Sequence, residues 1–206
     1  MPATTLTAFS VLALSVFCYQ PADDVIARFL KASKEKECLS RWESFDDLRL
    51  SPAQLAVAEK HIKARKDYRS YHLLFAVKNT SKKAYEGLPV DTKIMILTSA
   101  LRKQKPFLND WGRLEPQESY DAESGRALLE LGKGAINYLK PMLKDSTRVR
   151  LYGSEDALAS SEYQYRRKDF AYRYISLLLN KEPEFSANPK ERDKAIDVLA
   201  KQLRTR

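Results

Sequence analysis

The sequence predicts an all-α protein, and three observations carry that prediction. Apolar residues recur at helical spacing along most of the chain, as in Leu55, Ala58 and Ile62 or in Ala195, Ile196, Leu199 and Leu203. Helix-boundary chemistry punctuates those stripes: Ser51-Pro52 and Asn188-Pro189 read as starts, Gly132 as a stop. Only six glycines occur in 206 residues, which disfavours Gly-rich sheets, propellers and phosphate-cradling loops. No segment reads as an alternating strand closed by a two-residue hairpin signal.

The first segment reads as an address. Residues 1–22 carry no charged side chain, and Leu6 to Cys18 is a mostly apolar run of about 13 residues. That length suits the apolar stretch of a secretory leader and falls short of the roughly 20 residues that cross a bilayer. Val16 and Cys18 fit positions −3 and −1 of a cleavage site before Tyr19. No Lys or Arg precedes the run, and Phe17 stands where a lipoprotein leader carries a small residue. The expectation is a leader over residues 1–20 and a periplasmic or secreted protein. A lipid anchor and an apolar helix packed on a cytoplasmic domain are the alternatives. No transmembrane segment is expected. Two cysteines, Cys18 and Cys38, cannot make a disulfide framework, and Cys38 is expected to be buried.

The remaining chain, 22–206, reads as one helical domain. Val25, Ile26, Phe29 and Leu30 share a helix face from Ala22 to Lys34, and the stretch to Leu50 is mixed and irregular. Ser51-Pro52 opens the next helix. Another follows from Asp67 to Val77, with Tyr68, Tyr71, Leu74 and Phe75 as its stripe and Asn79-Thr80-Ser81 as its break. A helix from Val90 carries Ile94, Leu97, Ala100 and Leu101 and stops before Pro106. Residues 107–120 form the longest candidate loop. Asp121 to Gly132 and Lys133 to Lys144 read as two helices in quick succession, the second kinked or broken at Pro141. Gly153-Ser154 opens a further helix with Ser154 as its cap; Lys168 to Asn180 is strongly apolar; Asn188-Pro189 starts the last.

Within this series, ALLELGKGAINYLKPMLKD at 127–145 resembles a HEAT-type repeat: an amphipathic helix ending in Leu-Gly, a tight turn, then a helix of A-x-x-x-L-x-x-x-L type ending in Asp. RRKDFAYRYISLLL then resembles the opening helix of a following repeat, and RKDYRSYHLLF at 65–75 echoes RKDFAYRYISL at 167–177. The resemblance covers about 50–105 and 121–204. It departs from regular arrays in the 107–120 loop and in repeat length. The expected architecture is therefore a HEAT-like α–α repeat or a compact helical bundle. Such a resemblance implies binding and scaffolding rather than catalysis.

Two places could carry a function. Residues 162–174, EYQYRRKDFAYRY, hold four tyrosines and three arginines in thirteen residues. Tyr163, Tyr165, Arg166, Asp169, Tyr172 and Arg173 are the candidate partner-binding residues, because Tyr and Arg bury large areas and still hydrogen-bond. The competing reading is structural, with Asp169 pairing Arg166 or Arg173 between helices and the tyrosines packed. Trp111, in Asn109-Asp110-Trp111-Gly112, is the second place. It reads as a plug closing the helical core, or as the wall of a pocket. Asp110 with Glu115 or Glu118 could serve as a carboxylate pair for glycoside cleavage only at a separation of about 5–9.5 Å.

Nothing else suggests chemistry. His61 and His72 fall on different expected helices without further ligands, and GxSxG, HExxH and phosphate-loop motifs are absent. No metal and no cofactor are expected. The chain carries 36 Lys+Arg against 27 Asp+Glu, a net charge of +9, which favours acidic partners. Apart from KEKE at 34–37 and KARK at 63–66, those charges are interleaved like solvated helix faces. The sequence reading is a non-enzymatic protein-binding or scaffolding module outside the cytoplasm. A cytosolic nucleic-acid-binding helical repeat is the alternative, and a wall-acting hydrolase is the third class.

Overall fold

Ser51 begins the first continuous element for a reason visible in its side chain. Its hydroxyl accepts from the Gln54 amide, the Gln54 side chain accepts from the Ser51 amide at 2.8 Å, and Pro52 occupies the first turn. This capping box starts helix α1, Pro52–Ala64. The computed structural model describes residues 49–103, 109–115, 122–151 and 153–204, together with Asp24, Ile26, Ala27 and Phe29. The expected leader, both cysteines, Trp42 and Glu118 lie outside the described residues. The four described residues of the expected 22–34 helix are helical, and Ile26 and Phe29 join the core.

Asp67 accepts from the Arg69 amide and opens a 3-10 turn, Tyr68–Ser70, that runs into helix α2, Tyr71–Thr80. The expected break at Asn79-Thr80-Ser81 comes only at Ser81. There the Ser81 hydroxyl caps a short helix that sequence periodicity missed, α3, Lys82–Gly87. Helix α4, Val90–Lys103, follows with Ile94, Ile96, Leu97, Ala100 and Leu101 buried. Asn109–Trp111 forms a 3-10 turn inside the expected loop.

Helix α5, Glu123–Glu130, ends where Gly132 takes a φ of 76°, a conformation open to glycine. The segment after it departs from the single helix expected. It is a 3-10 turn, Lys133–Ala135, then the short helix α6, Ile136–Leu139, then a second 3-10 turn, Lys140–Lys144, around Pro141. Proline removes an amide donor and crowds the preceding turn, so the α-ladder stops there.

Helix α7, Ser154–Glu162, is capped by Gly153 at φ 95°, not by Ser154, which is the first helical residue. Glu155 and Asp156 sit in its first turn, where negative charge suits the helix dipole. Helix α8, Arg167–Leu178, and helix α9, Pro189–Gln202, complete the chain; the Asn188 side chain caps α9 by accepting from Lys190.

Among the described residues the chain is all-α, with nine α-helices and no strand. One extended segment was not foreseen. Residues 145–151 lie along the turn before α8: Val149 donates to the Tyr165 carbonyl at 2.8 Å, and Arg167 to the Thr147 carbonyl at 3.0 Å. A single antiparallel bridge joins Arg148 and Arg166. Val149 and Leu151 point inward and Arg148 and Arg150 outward, the period-2 alternation of an extended chain. Helix α8 packs on the 140–144 turn, α5, α6 and α9, while α4 packs on α2, α5, α6 and the turn at 68–70. One hydrophobic core joins them, with Tyr71, Phe75, Ile94, Leu97, Trp111, Leu128, Tyr165, Phe170 and Ile175 inside it. No helix among the described residues is long and apolar enough to cross a membrane.

Candidate functional site

Residues 162–174 do not form one helix. Gln164 adopts a φ of 54°, and this left-handed residue turns the chain sharply between α7 and α8. Arg166 is the residue just before α8, so Arg166, Asp169 and Arg173 do not lie on one helix. Instead Asp169 folds back over the helix start. Its Oδ2 accepts from the Arg166 backbone amide at 2.9 Å and from Arg166 Nε at 3.1 Å, and its Oδ1 accepts from Arg166 Nη2 at 2.9 Å.

A second guanidinium, which sequence reasoning missed, completes the pair. Arg192 of α9 reaches Asp169 Oδ1 at 3.2 Å, and the two side chains are 2% and 1% exposed. Arg192 also donates to the carbonyls of Ser186 at 2.6 Å and Tyr163 at 2.6 Å, and it lies over the Phe185 ring at 4.7 Å. Asp193 pairs with both Arg166 and Lys168 at 2.8 Å, and those two cations hold its carboxyl group below the ordinary aspartate range, against the opposing effect of burial. The knot therefore ties three segments: the 163–166 corner, the 186–187 turn and α9. One buried carboxylate between two guanidinium groups satisfies its oxygens with charge-assisted bonds, and losing it would strand the cations.

The tyrosines are likewise committed. Tyr165 is fully buried, edge-on to Phe170 at 5.9 Å and Phe185 at 5.8 Å, and its hydroxyl donates to Glu115. Burial first, then the Glu115 carboxylate, push that phenol well above its ordinary range. Tyr174 donates to the Trp111 carbonyl at 2.6 Å and meets the indole edge-on at 5.6 Å. Trp111 is 1% exposed. The Arg173 guanidinium donates to the Arg113 carbonyl, and Arg113 pairs with Asp156 of α7 and with Glu155 at 3.4 Å. The 109–115 segment and the 163–174 corner, two separate candidates in sequence, thus form one interlocked unit.

Of the candidate partner-binding residues, Tyr165, Arg166, Asp169 and Trp111 are buried and internally bonded. Tyr163, Tyr172 and Arg173 remain half-buried at the surface. Of the two pairings offered for Asp169, the one with Arg166 forms, and Arg173 instead donates to the Arg113 carbonyl.

Asp110 stands apart. Its Oδ2 accepts from the Tyr71 hydroxyl at 3.0 Å, and Tyr71 shares a short hydrogen bond with Ser124 of α5. Burial pushes the Asp110 carboxyl up to about 6, against the downward pull of the Tyr71 hydrogen bond. The Glu115 carboxylate accepts from the Tyr165 hydroxyl. His61 lies on α1 and His72 on α2, as expected, and burial pushes His72 down to about 4. No group of three or more His, Cys, Asp or Glu among the described residues is arranged to hold a metal ion.

The exposed surface has a different character. Leu158 of α7 is 67% exposed and Val198 of α9 is 54% exposed. Val198 borders a shallow groove of about 430 Å³ with Glu184, Glu191 and Lys194. Lys60, Lys63, Arg65 and Lys66 face solvent at the end of α1, and Lys144, Arg148 and Arg150 do so along the extended segment. Comparison of the chain with protein-family models, curated proteins and solved structures finds no match.

Proposed function

We propose that this chain is a non-enzymatic protein-binding or scaffolding module that works outside the cytoplasm. The observation that carries the reading is the split between interior and surface. The side chains with chemical capacity (Asp169, Arg166, Arg192, Tyr165) are spent on internal bonds, while Leu158 stands clear of the core among exposed Glu155, Ser161 and Glu162. A large apolar side chain framed by polar ones is the composition of an interface centre and its rim. The HEAT-type resemblance of 127–145 and 166–179 agrees with a scaffolding role, and the apolar leader supports export.

The test uses the full chain as bait in its native host, with chemical crosslinking. A protein captured by the native chain and lost with Leu158→Glu, at unchanged thermal stability, supports the reading; equal capture by both refutes it for this face. N-terminal sequencing of the exported protein reads the address. A second reading, nucleic-acid binding, draws on the exposed cations of α1 and of residues 144–150. It requires DNA affinity that falls steeply as salt rises.

A further inference from the structure

Two helices of this chain carry opposite charge on their outward sides. Helix α7 holds Glu155, Asp156 and Glu162 and no basic residue, in a chain whose net charge is +9. Asp156 is half-buried against Arg113. Glu155 meets the same guanidinium at 3.4 Å, yet its side chain stays 86% exposed, and Glu162 is exposed as well. Glu155, Leu158 and Glu162 fall at i, i+3 and i+7, so the exposed leucine stands between two carboxylates on one stripe. Ala157 and Ser161 complete that outward side, and Ser160 faces the core.

Helix α1 is its electrostatic complement. Ala53, Ala56, Lys60, Lys63 and Ala64 are exposed along its outward side, while Ala58 and Ile62 face the core. Its one acid, Glu59, is half-buried and lies 3.6 Å from Lys63. Arg65 and Lys66 carry the exposed positive run past the helix end. Lysine stems are apolar up to the ammonium, so this side can cover a large apolar side chain and still present charge around it. Glu155 and Glu162 stand about 10 Å apart along α7, and the run from Lys60 to Lys66 covers a comparable length. Both sides are exposed, so neither is covered by the other within one chain.

We propose that copies of this chain associate through unlike faces: α7 of one copy seats on α1 of the next, with Leu158 at the centre and Glu155 and Glu162 paired at the rim with Lys60, Lys63 and Lys66. The proposal rests on the reading of Leu158 as the centre of a binding face and names its occupant as a second copy. Charge selects the pairing. Two α7 stripes would set carboxylate against carboxylate, and two α1 stripes ammonium against ammonium, so each face is repelled by its own kind and attracted by the other. A contact between unlike faces grows into a ring or a filament unless two copies close it reciprocally. The rim pairs are exposed, so salt screens them and association weakens as ionic strength rises.

Sedimentation velocity of the full-length chain over a concentration series, at low and at high salt, tests this. Association that rises with concentration and falls with salt is expected. Lys60→Glu with Lys63→Glu sets like charge against α7, and Glu155→Lys with Glu162→Lys sets it against α1. Each double variant alone should associate more weakly by about tenfold or more. Mixed together, the two should associate again, because the native faces meet each other and so do the reversed ones. A native chain that stays monomeric overturns the proposal. So does a double variant that associates like the native chain, or a mixture that stays monomeric. If a double variant fails to fold, zero-length carbodiimide crosslinking of native chain, mixed from light and heavy isotope, decides instead. A link between copies from Glu155 or Glu162 to Lys60, Lys63 or Lys66 is expected, and its absence overturns the proposal. A monomeric chain that captures a different protein through Leu158 overturns self-association and leaves the binding-module reading standing.

Discussion

Asp110 and His72 set opposing pH dependences on global stability, and removing one should expose the other. His72 is buried neutral on α2, with its proton leaving at about 4 instead of 6.5. The unfolded chain therefore binds a proton that the folded chain refuses between about pH 6.5 and 4, and stability falls as the solution is acidified. At about 1.36 kcal/mol for each pH unit, the full effect is about 3 kcal/mol. His61 is also lowered, chiefly by burial, and acts in the same direction. Asp110 has the reverse sign. It titrates at about 6 folded against 3.8 unfolded, so the folded chain binds the extra proton and stability rises as pH falls through that window. That effect is also about 3 kcal/mol. The two nearly cancel from about pH 6 to 4, and the native protein should show a shallow profile there. Asp110→Asn keeps a hydrogen-bonding side chain but no titration, and its stability should drop by about 3 kcal/mol over the same range. Urea unfolding followed by circular dichroism in a buffer series reads both curves. Parallel curves for the native chain and Asp110→Asn would refute the linkage. Below about pH 3.8 the two should fall together, because Asp67, Asp145 and Asp193 are held below their ordinary range and lose that advantage on protonation.

Three further outcomes follow from the packing. Asp169→Ala strands two buried guanidinium groups and should cost about 3–5 kcal/mol in chemical denaturation, whereas a surface pair would cost about 0–1; a loss in the lower range would remove the knot from the account of the fold. Trp111→Ala should cost about 3–5 kcal/mol, as for other buried large aromatics, and a loss under about 1 kcal/mol would mean that the indole is not the plug it appears in the core. Gly125→Ala would place a methyl 3.0 Å from Tyr174 Cε1 and closer still to its hydroxyl, which is anchored on Trp111. Overpacking of about 1–3 kcal/mol outweighs the helix propensity gained, which is about 1, so the melting temperature should fall, and adding Tyr174→Phe should restore part of it.

What could be read in advance, and what could not, separates along the range of the interactions. Ser51-Pro52, Gly132, Pro141 and Asn188-Pro189 act within one turn, and each terminates or starts an element where its chemistry requires. The α3 helix escaped because Lys82–Gly87 is six residues long, too short to show a period. The extended segment escaped for the same reason, although Arg148-Val149-Arg150-Leu151 does alternate. Ser154 was displaced from its expected capping role by Gly153, whose φ of 95° suits a residue without a Cβ.

The corner was harder, because its meaning lies in partners distant in sequence. Asp169 and Arg166 are three residues apart and were paired on the page; Arg192 is 23 residues further on, and nothing local announces it. One signal did exist. Arg192, Ile196, Leu199 and Leu203 fall at i, i+4, i+7 and i+11, so a charged residue heads the buried stripe of α9. A guanidinium in that position must find a counter-charge inside the fold, since burying it alone is prohibitive. Asp169 is the buried carboxylate that answers it. The same reasoning turns a Tyr/Arg-rich segment from a surface into an interior: its residues recur at binding hot spots because they combine area with hydrogen bonding, and those are also the properties that a helical corner needs when three chain segments must meet around one charge.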